Sequence, residues 1–99
     1  MSVPIYDAKR PDQIVTFPQV KAFEIKREFD TISNLQAFKC SPFELDLGQP
    51  DDTTTLIIRF FKNGRSYTLL AGYVLVLLPT GDYEVYPSTA DFLAVYALV

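Results

Sequence analysis

The residues of this 99-residue chain that could do chemistry are mostly carboxylates, and they occur in two places. Asp51 and Asp52 are adjacent, with Asp46 upstream, and such a group could bind a divalent cation. Asp82 and Glu84 would share one face of a strand about 7 Å apart, a separation that glycosidases use. Neither group has the surrounding pattern that its chemistry needs, because no EF-hand spacing and no cleft signal accompanies it. We interpret the first as a loop in which Asp caps its own backbone and the second as a solvated strand face.

The other side chains that commonly do catalysis or bind metals are nearly absent. There is no histidine, which removes the commonest general base at neutral pH and the commonest metal ligand. The single cysteine, Cys40, has no Cys or His partner at zinc-ligand spacing and no histidine base, so we interpret it as a core residue. The four glycines are too far apart for a phosphate-binding loop. The sequence therefore predicts no catalytic residue, no metal site and no cofactor, and so no enzyme.

Composition narrows the kinds of partner. The 9 basic and 12 acidic residues give a net charge of −3, without the basic excess that binding to phosphate backbones requires. The longest apolar run, Leu69–Leu78, is too short to span a membrane as a helix. No signal peptide is recognisable at the start, and a lone cysteine suits a reducing compartment. We expect a protein made in a cytoplasm, with neither nucleic acid nor membrane as its partner.

The stretch Thr53–Pro87 organises the chain, because it contains two predicted β-hairpins. Asn63-Gly64 separates LIIRFF from SYTLL, and this pair is the strongest short signal for a type I′ turn. Pro79 to Asp82 separates YVLVLL from YEVY in the second hairpin. Tyr73–Leu78 is apolar in both phases of the alternation, which predicts a central strand covered on both faces.

Shorter patterns flank this stretch. Lys21–Phe29 and Phe43–Leu47 alternate apolar and polar residues, which predicts two more strands. Asp30–Asn34 predicts a turn or a short helical turn. Leu35–Cys40 could form a short strand, but its residues do not decide the type of structure. The segment from Ser88 to Tyr96 begins like a capped helix and predicts one to two helical turns.

Together these patterns predict a mainly β fold with one short C-terminal helix. The arrangement would be a small twisted sheet or a partly open barrel of about six strands. The length fits one domain, which we place at residues 14–99. Residues 1–13 carry Pro4 and Pro11 and predict an extended N-terminal arm.

Aromatic residues are numerous, with eight Phe and six Tyr. Phe60 and Phe61 are adjacent, so their side chains point to opposite faces of a strand. Two alternatives follow: either the helix and the first strands cover both faces, or one face contacts a partner or a second copy. For the second alternative we predict the contact residues Ile5, Tyr6, Phe17, Phe61, Tyr83 and Tyr86.

Short motifs follow one another in the C-terminal half. They are Ala71-Gly72-Tyr73, Gly81-Asp82-Tyr83-Glu84-Val85-Tyr86-Pro87 and Phe92-Leu93-Ala94-Val95-Tyr96. This series resembles the end of small proteins encoded by tailed bacteriophages and prophages. Those proteins have a Pro-Gly-Asp-Trp/Tyr segment, where Ala71-Gly72-Tyr73 stands here, then Gly-Glu-Phe/Val-Tyr-Pro and Phe-x-x-x-Tyr. Gln19–Ile25 is similar to the first strand of that family, and Thr31–Asp52 lies outside the resemblance.

The resemblance implies a setting, a phage genome, because the biochemical role of that family is largely unassigned. We therefore expect a phage structural or accessory protein that acts by protein–protein contacts. A capsid decoration (cement) protein or another virion component is the main hypothesis. The alternative is a small non-catalytic inhibitor of a host enzyme or defence complex. Either protein would be made in the host cytoplasm and have protein partners, among them capsid proteins or further copies of itself.

Overall fold

The computed structural model describes residues 3–9 and 19–98. In this part of the chain, eight strands form two open antiparallel sheets, and two short helices pack with them. The strands are β1 (Tyr6–Lys9), β2 (Val20–Glu24), β3 (Phe43–Asp46), β4 (Ile57–Lys62), β5 (Arg65–Leu70), β6 (Val74–Leu77), β7 (Tyr83–Tyr86) and β8 (Ala97–Leu98). The helices are α1 (Phe29–Ala37) and α2 (Thr89–Leu93). Sheet A has the order β7-β6-β2-β1-β8 and sheet B the order β3-β4-β5, so the prediction of a mainly β fold is confirmed.

Both predicted hairpins are present. Asn63 and Gly64 join β4 to β5 with φ values of 55° and 77°, the left-handed values that a type I′ turn requires. In this hairpin, Phe60 lies opposite Tyr67. The second hairpin pairs β6 with β7, and Leu77 lies opposite Tyr83. The chemistry of the turns thus sets the register of the central strands.

Sheet A is covered on both faces, as the apolar sequence of β6 predicts. On one face, Phe23 and Leu75 are fully buried in a core shared with sheet B and α1. On the other face, Val74 and Val76 pack with Phe92 of α2. The molecule therefore has three layers, α2, sheet A and sheet B, and the outer face of sheet B has no covering element among the described residues.

The predicted strand Lys21–Phe29 is too long, because β2 ends at Glu24 and Phe29 begins α1. The Thr31 hydroxyl donates to the carbonyl of Lys26 (2.6 Å) and accepts from its N–H (3.2 Å), which turns the chain out of the sheet. Phe29 continues the alternation by residue type, but its side chain lies outside the core. The structure thus contains the nine-residue helix α1 where the sequence predicted a turn or a short helical turn and left the following segment open as a short strand.

Part of the segment predicted as an arm lies in sheet A. β1 pairs with β2 on one side and with β8 on the other, and Ala8 is fully buried there. The N–H of Val3 donates to the carboxylate of Asp30 (3.0 Å), and the Asn34 amide donates to the Val3 carbonyl (2.8 Å). The described N-terminal residues are therefore attached to both sheet A and α1.

Candidate interaction surface

A groove of about 220 Å³ lies between the start of α1 and the inner face of β3, which is the face that points toward the core. We call it the α1–β3 groove. Its lining residues are Lys26, Arg27, Glu28, Phe29, Thr31, Ile32, Leu45, Leu47, Leu56 and Ile58. Phe29 is 82% exposed, more than any other large apolar side chain in the described part of the chain. Leu45 and Leu47 are also exposed, so the groove presents apolar side chains from two elements to solvent.

The local backbone explains why these apolar side chains stay uncovered. Glu28 is the extended N-cap residue of α1, and Phe29 is the first helical residue. Phe29 and Ile32 are three residues apart and lie on one helix face, while Thr31 and Leu35 are buried against the core. Leu45 lies opposite buried Ile58, and no other strand of the described residues pairs with the free side of β3. The groove is therefore a gap between α1 and the edge strand of sheet B.

Apolar surface of this kind is a marker of interaction. Burying a Phe or Leu side chain is worth roughly 1.5–3 kcal/mol, so exposing several together is unfavourable for a chain that acts alone. Single exposed apolar residues are common on proteins, whereas contiguous ones mark a binding face. Phe29, Leu45 and Leu47 are all exposed and line the same groove. The groove is thus the strongest candidate for a contact surface.

The lining of the groove includes the charged residues Lys26, Arg27 and Glu28. The guanidinium of Arg27 donates to the carbonyls of Thr55 (3.1 Å) and Asp52 (2.8 Å), which fixes it against the loop before β4. Glu28 makes no capping hydrogen bond to α1, and its Oε2 atom is buried without a hydrogen-bond partner. Buried polar atoms without partners are rare and costly in folded proteins. Glu28 therefore has an unused acceptor within the lining of the groove.

The outer face of sheet B is a second exposed surface. Phe61 is 67% exposed there and lies opposite Ser66. Ile57 and Leu70 form another pair on this face, and Arg59 separates the two pairs. A charged residue therefore lies between the two apolar pairs on this face.

The six predicted contact residues do not form one surface. Tyr6 lines a small cavity with Phe92 on the α2 side of sheet A, and Ile5 precedes it in an exposed position. Phe61 lies on the outer face of sheet B, at the opposite side of the three layers. Phe17 lies outside the described residues.

Tyr83 is a core residue, so its prediction as a contact residue is wrong. Only 4% of it is exposed, and its hydroxyl donates to the carbonyl of Phe38. Its ring packs edge-on to those of Phe60 (5.3 Å) and Tyr67 (5.6 Å). Burial, with Cys40 beside it, raises the pKa of Tyr83 above its ordinary value. Pairing with β6 turns this tyrosine inward, which its sequence neighbours do not reveal.

Tyr86 is partly buried and supports α2. Its ring lies beside those of Phe92 (5.9 Å) and Tyr96 (6.1 Å). The hydroxyls of Tyr86 and Tyr96 both donate to Oε1 of Glu84, at 3.2 and 2.5 Å. The Phe-x-x-x-Tyr end of the chain thus packs on β7 through a shared carboxylate.

The carboxylates and the thiol have structural roles. Oδ1 of Asp52 accepts from the N–H groups of Thr54 (2.7 Å) and Thr55 (2.9 Å), which confirms the prediction of an Asp-capped loop. The hydrogen bond from the Thr55 hydroxyl has the largest effect on the pKa of Asp52, and the two N–H groups add to it. Together they hold this pKa well below its usual range. Cys40 is buried, as predicted, and burial raises the pKa of its thiol to about 11.

Residues 3–9 and 19–98 present neither a cluster of metal ligands nor a helix suited to a membrane. No group of three or more Cys, Asp or Glu side chains in these ranges is placed to hold a metal ion. None of the helices described for the chain is long and apolar enough to cross a membrane.

The sequence analysis did not predict that the lining of the groove is exposed. The alternation of Phe43–Leu47 predicts that Leu45 and Leu47 are buried, which would require a covering element over the edge of sheet B. A Phe that directly follows Arg27-Glu28 is the one available signal that the strand pattern ends. That signal is weak, because single charged residues also occur on inward faces near strand ends.

Comparison of the chain with protein-family models gave no match, and comparisons with curated proteins and with solved structures gave none either.

Proposed function

We propose that this protein works by protein–protein contacts, as a capsid decoration protein or another component of a bacteriophage particle, and that it docks through the α1–β3 groove. The observation that carries the docking surface is the exposure of Phe29 beside Leu45 and Leu47. The phage setting is supported by the C-terminal motifs that resemble small phage and prophage proteins.

The arrangement suits docking better than chemistry. Two of the carboxylates that the sequence singled out are engaged locally, Asp52 in its loop and Glu84 beneath α2. An interface of stable affinity needs a buried apolar anchor and a polar rim. The groove provides the apolar part, and Lys26, Arg27 and Glu28 provide the rim.

Particle composition tests this proposal. Phage particles produced by a host that carries this gene are purified on a density gradient, and peptides of this chain are quantified against the major capsid protein by mass spectrometry. We expect a fixed stoichiometry to the capsid protein. In a reconstitution with particles that lack the protein, Phe29→Ser should weaken co-sedimentation at least tenfold, because an interface aromatic is often worth 2 kcal/mol or more.

Phe61→Ser is the matched control, since it removes an exposed Phe from another face. We expect it to co-sediment like the wild type. Absence of the chain from particles would contradict the virion role, and stoichiometric recovery of one host enzyme instead would point to an inhibitor. Loss of binding by Phe61→Ser but not by Phe29→Ser would move the docking surface to the outer face of sheet B.

A further inference from the structure

A second concave surface lies between the end of α1, the turn at Asn63 and the turn Leu78–Gly81. We call it the lysine cleft, because Lys21, Lys39 and Lys62 are among its lining residues, and its volume is about 470 Å³. We infer that the lysine cleft binds an acidic segment of a partner protein, a short stretch in which Asp or Glu side chains flank an apolar one. The inference goes beyond the proposed function, because this cleft shares no lining residue with the α1–β3 groove.

The first step of the argument is the charge of the lining. Three of the five lysines of the chain line the cleft, Lys21 from β2, Lys39 from the turn after α1 and Lys62 from the end of β4. No Asp or Glu of the described residues is part of the same lining. The whole chain has a net charge of −3, so the positive charge of the cleft is opposite in sign to that of the molecule. Like charges that converge on one cleft repel one another, and a negatively charged occupant relieves this repulsion.

The second step is that the three ammonium groups keep charge for an occupant. Nζ of Lys62 donates to the backbone carbonyl of Lys39 (2.9 Å), a neutral acceptor that holds the ammonium without cancelling its charge. The Lys39 side chain is exposed. Nζ of Lys21 pairs with Asp7 (2.9 Å), but the two side chains are 60% and 51% exposed, and such surface pairs are weak. Because an ammonium has three donors, Lys21 can also bind a carboxylate of the occupant.

The third step concerns the apolar part of the lining. Leu77 and Leu78 are only partly buried, and they line the cleft together with the three lysines. An apolar side chain of the occupant would cover these leucines, while the neighbouring carboxylates meet the ammonium groups. This combination of an apolar centre and a charged surround is the usual composition of a protein interface. An acidic segment with an apolar residue therefore matches the cleft better than a free anion does.

The fourth step separates a protein segment from nucleic acid, which is also an anion. Single-stranded nucleic acid binds by stacking its bases on accessible aromatic rings, and the aromatic residues of the cleft, Phe38 and Tyr83, are only 2% and 4% exposed. The net charge of −3 also repels a densely charged phosphate backbone. A segment with two or three carboxylates is repelled much less.

The test uses a library of random 12-residue peptides, displayed on yeast and selected against the full chain. We expect the enriched peptides to share an apolar residue within three positions of two or more Asp or Glu residues. One enriched peptide is synthesised with a fluorescent label, and its affinity is measured by fluorescence anisotropy. The cleft variant is Lys39→Gln/Lys62→Gln. The control variant is Lys26→Gln/Arg59→Gln, which removes the same charge from two other surfaces.

The expected result is a local loss of affinity. The cleft variant should bind the peptide about tenfold more weakly than the wild type, and the control variant should bind it within about twofold of the wild type. Lys39→Arg/Lys62→Arg restores both charges and should recover most of the affinity.

Three outcomes would overturn the inference: equal losses in the cleft and control variants, a selection that enriches no acidic peptide, or displacement of the peptide by a 12-nucleotide single-stranded RNA at a lower concentration than by unlabelled peptide. The first would show attraction by overall charge, and the last would assign the cleft to nucleic acid. None of them bears on the α1–β3 groove, which the particle experiment with Phe29→Ser tests separately.

Discussion

At the scale of one residue, burial in the core changes the acidity of the Cys40 thiol. Its thiol is buried, and this burial raises its pKa to about 11, while an unfolded cysteine titrates near pH 8.5. Below pH 8.5 the Cys40 thiol is protonated in both the folded and the unfolded chain, so its contribution to the free energy of unfolding is fully present there. As the pH rises from 8.5 to 11, the unfolded chain loses its proton first, and the free energy of unfolding falls.

We expect Cys40 to react with a disulfide reagent at pH 8 at least 100-fold more slowly in the folded protein than in urea, because the thiolate is the reactive form. The absorbance of the released thiolate measures both rates. Between pH 8.5 and 9.5, urea titrations should show a fall in the free energy of unfolding for the wild type and a smaller fall for Cys40→Ala. Rapid reaction of the native protein would show that the thiol is accessible.

Predictions from single residues succeeded where the cause is local. Asp52 caps a loop that its own neighbours Thr54 and Thr55 form, and the sequence contains all of these residues side by side. The prediction that Tyr83 is a surface contact residue was wrong. Its burial depends on the register of β7 against β6 and on Phe38, which is far away in the sequence. A residue's type and neighbours thus predict local hydrogen bonds better than they predict which face is buried.

At the scale of elements, turn chemistry was the best guide to the fold. Asn63-Gly64 predicts a hairpin by its own backbone preference, and the structure places both residues at positive φ. The full length of α1 was missed, beyond the predicted turn or short helical turn, because its apolar positions are few and a preceding strand pattern runs into Phe29. A short helix has little intrinsic stability, so its formation depends on tertiary contacts such as those of Leu35, which the sequence does not display.

The N-terminus of α2 gives a prediction for an element. Oγ of Ser88 accepts from the N–H of Asp91 (3.1 Å), which is the predicted cap. Ser88→Ala should lower the free energy of unfolding by about 1 kcal/mol, because it removes this bond and loosens the helix that holds Phe92 on sheet A. Urea denaturation followed by circular dichroism measures the change. Ser88→Thr keeps an acceptor and should lose much less, so an equal loss for both variants would argue against capping.

At the scale of the whole molecule, the candidate surface follows from how the layers are arranged. Sheet A uses both faces for the core, so its strands carry little surface for partners. Sheet B has one buried face, two open edges and an outer face without a covering element among the described residues. The α1–β3 groove combines residues from α1 and β3 that are distant in sequence, and for this reason no local pattern predicted it.

The two adjacent phenylalanines of β4 test this arrangement. Phe60 is 5% exposed and packs against Tyr67 and Tyr83, whereas Phe61 is 67% exposed on the outer face. Phe60→Ala should lower the free energy of unfolding by about 3–5 kcal/mol through loss of core packing. Phe61→Ala should lower it by less than about 1 kcal/mol, through strand preference alone. Chemical denaturation of both variants at one protein concentration measures the difference.

Equal losses in these two variants would mean that the outer face of sheet B is covered in solution. Repeating the titration over a hundredfold range of protein concentration would then test whether a second copy is the cover, because a midpoint that rises with concentration shows a folded oligomer. A midpoint that stays constant, together with a small loss for Phe61→Ala, leaves the outer face open. In that case Phe29, Leu45 and Leu47 of the α1–β3 groove remain exposed apolar side chains available to a partner.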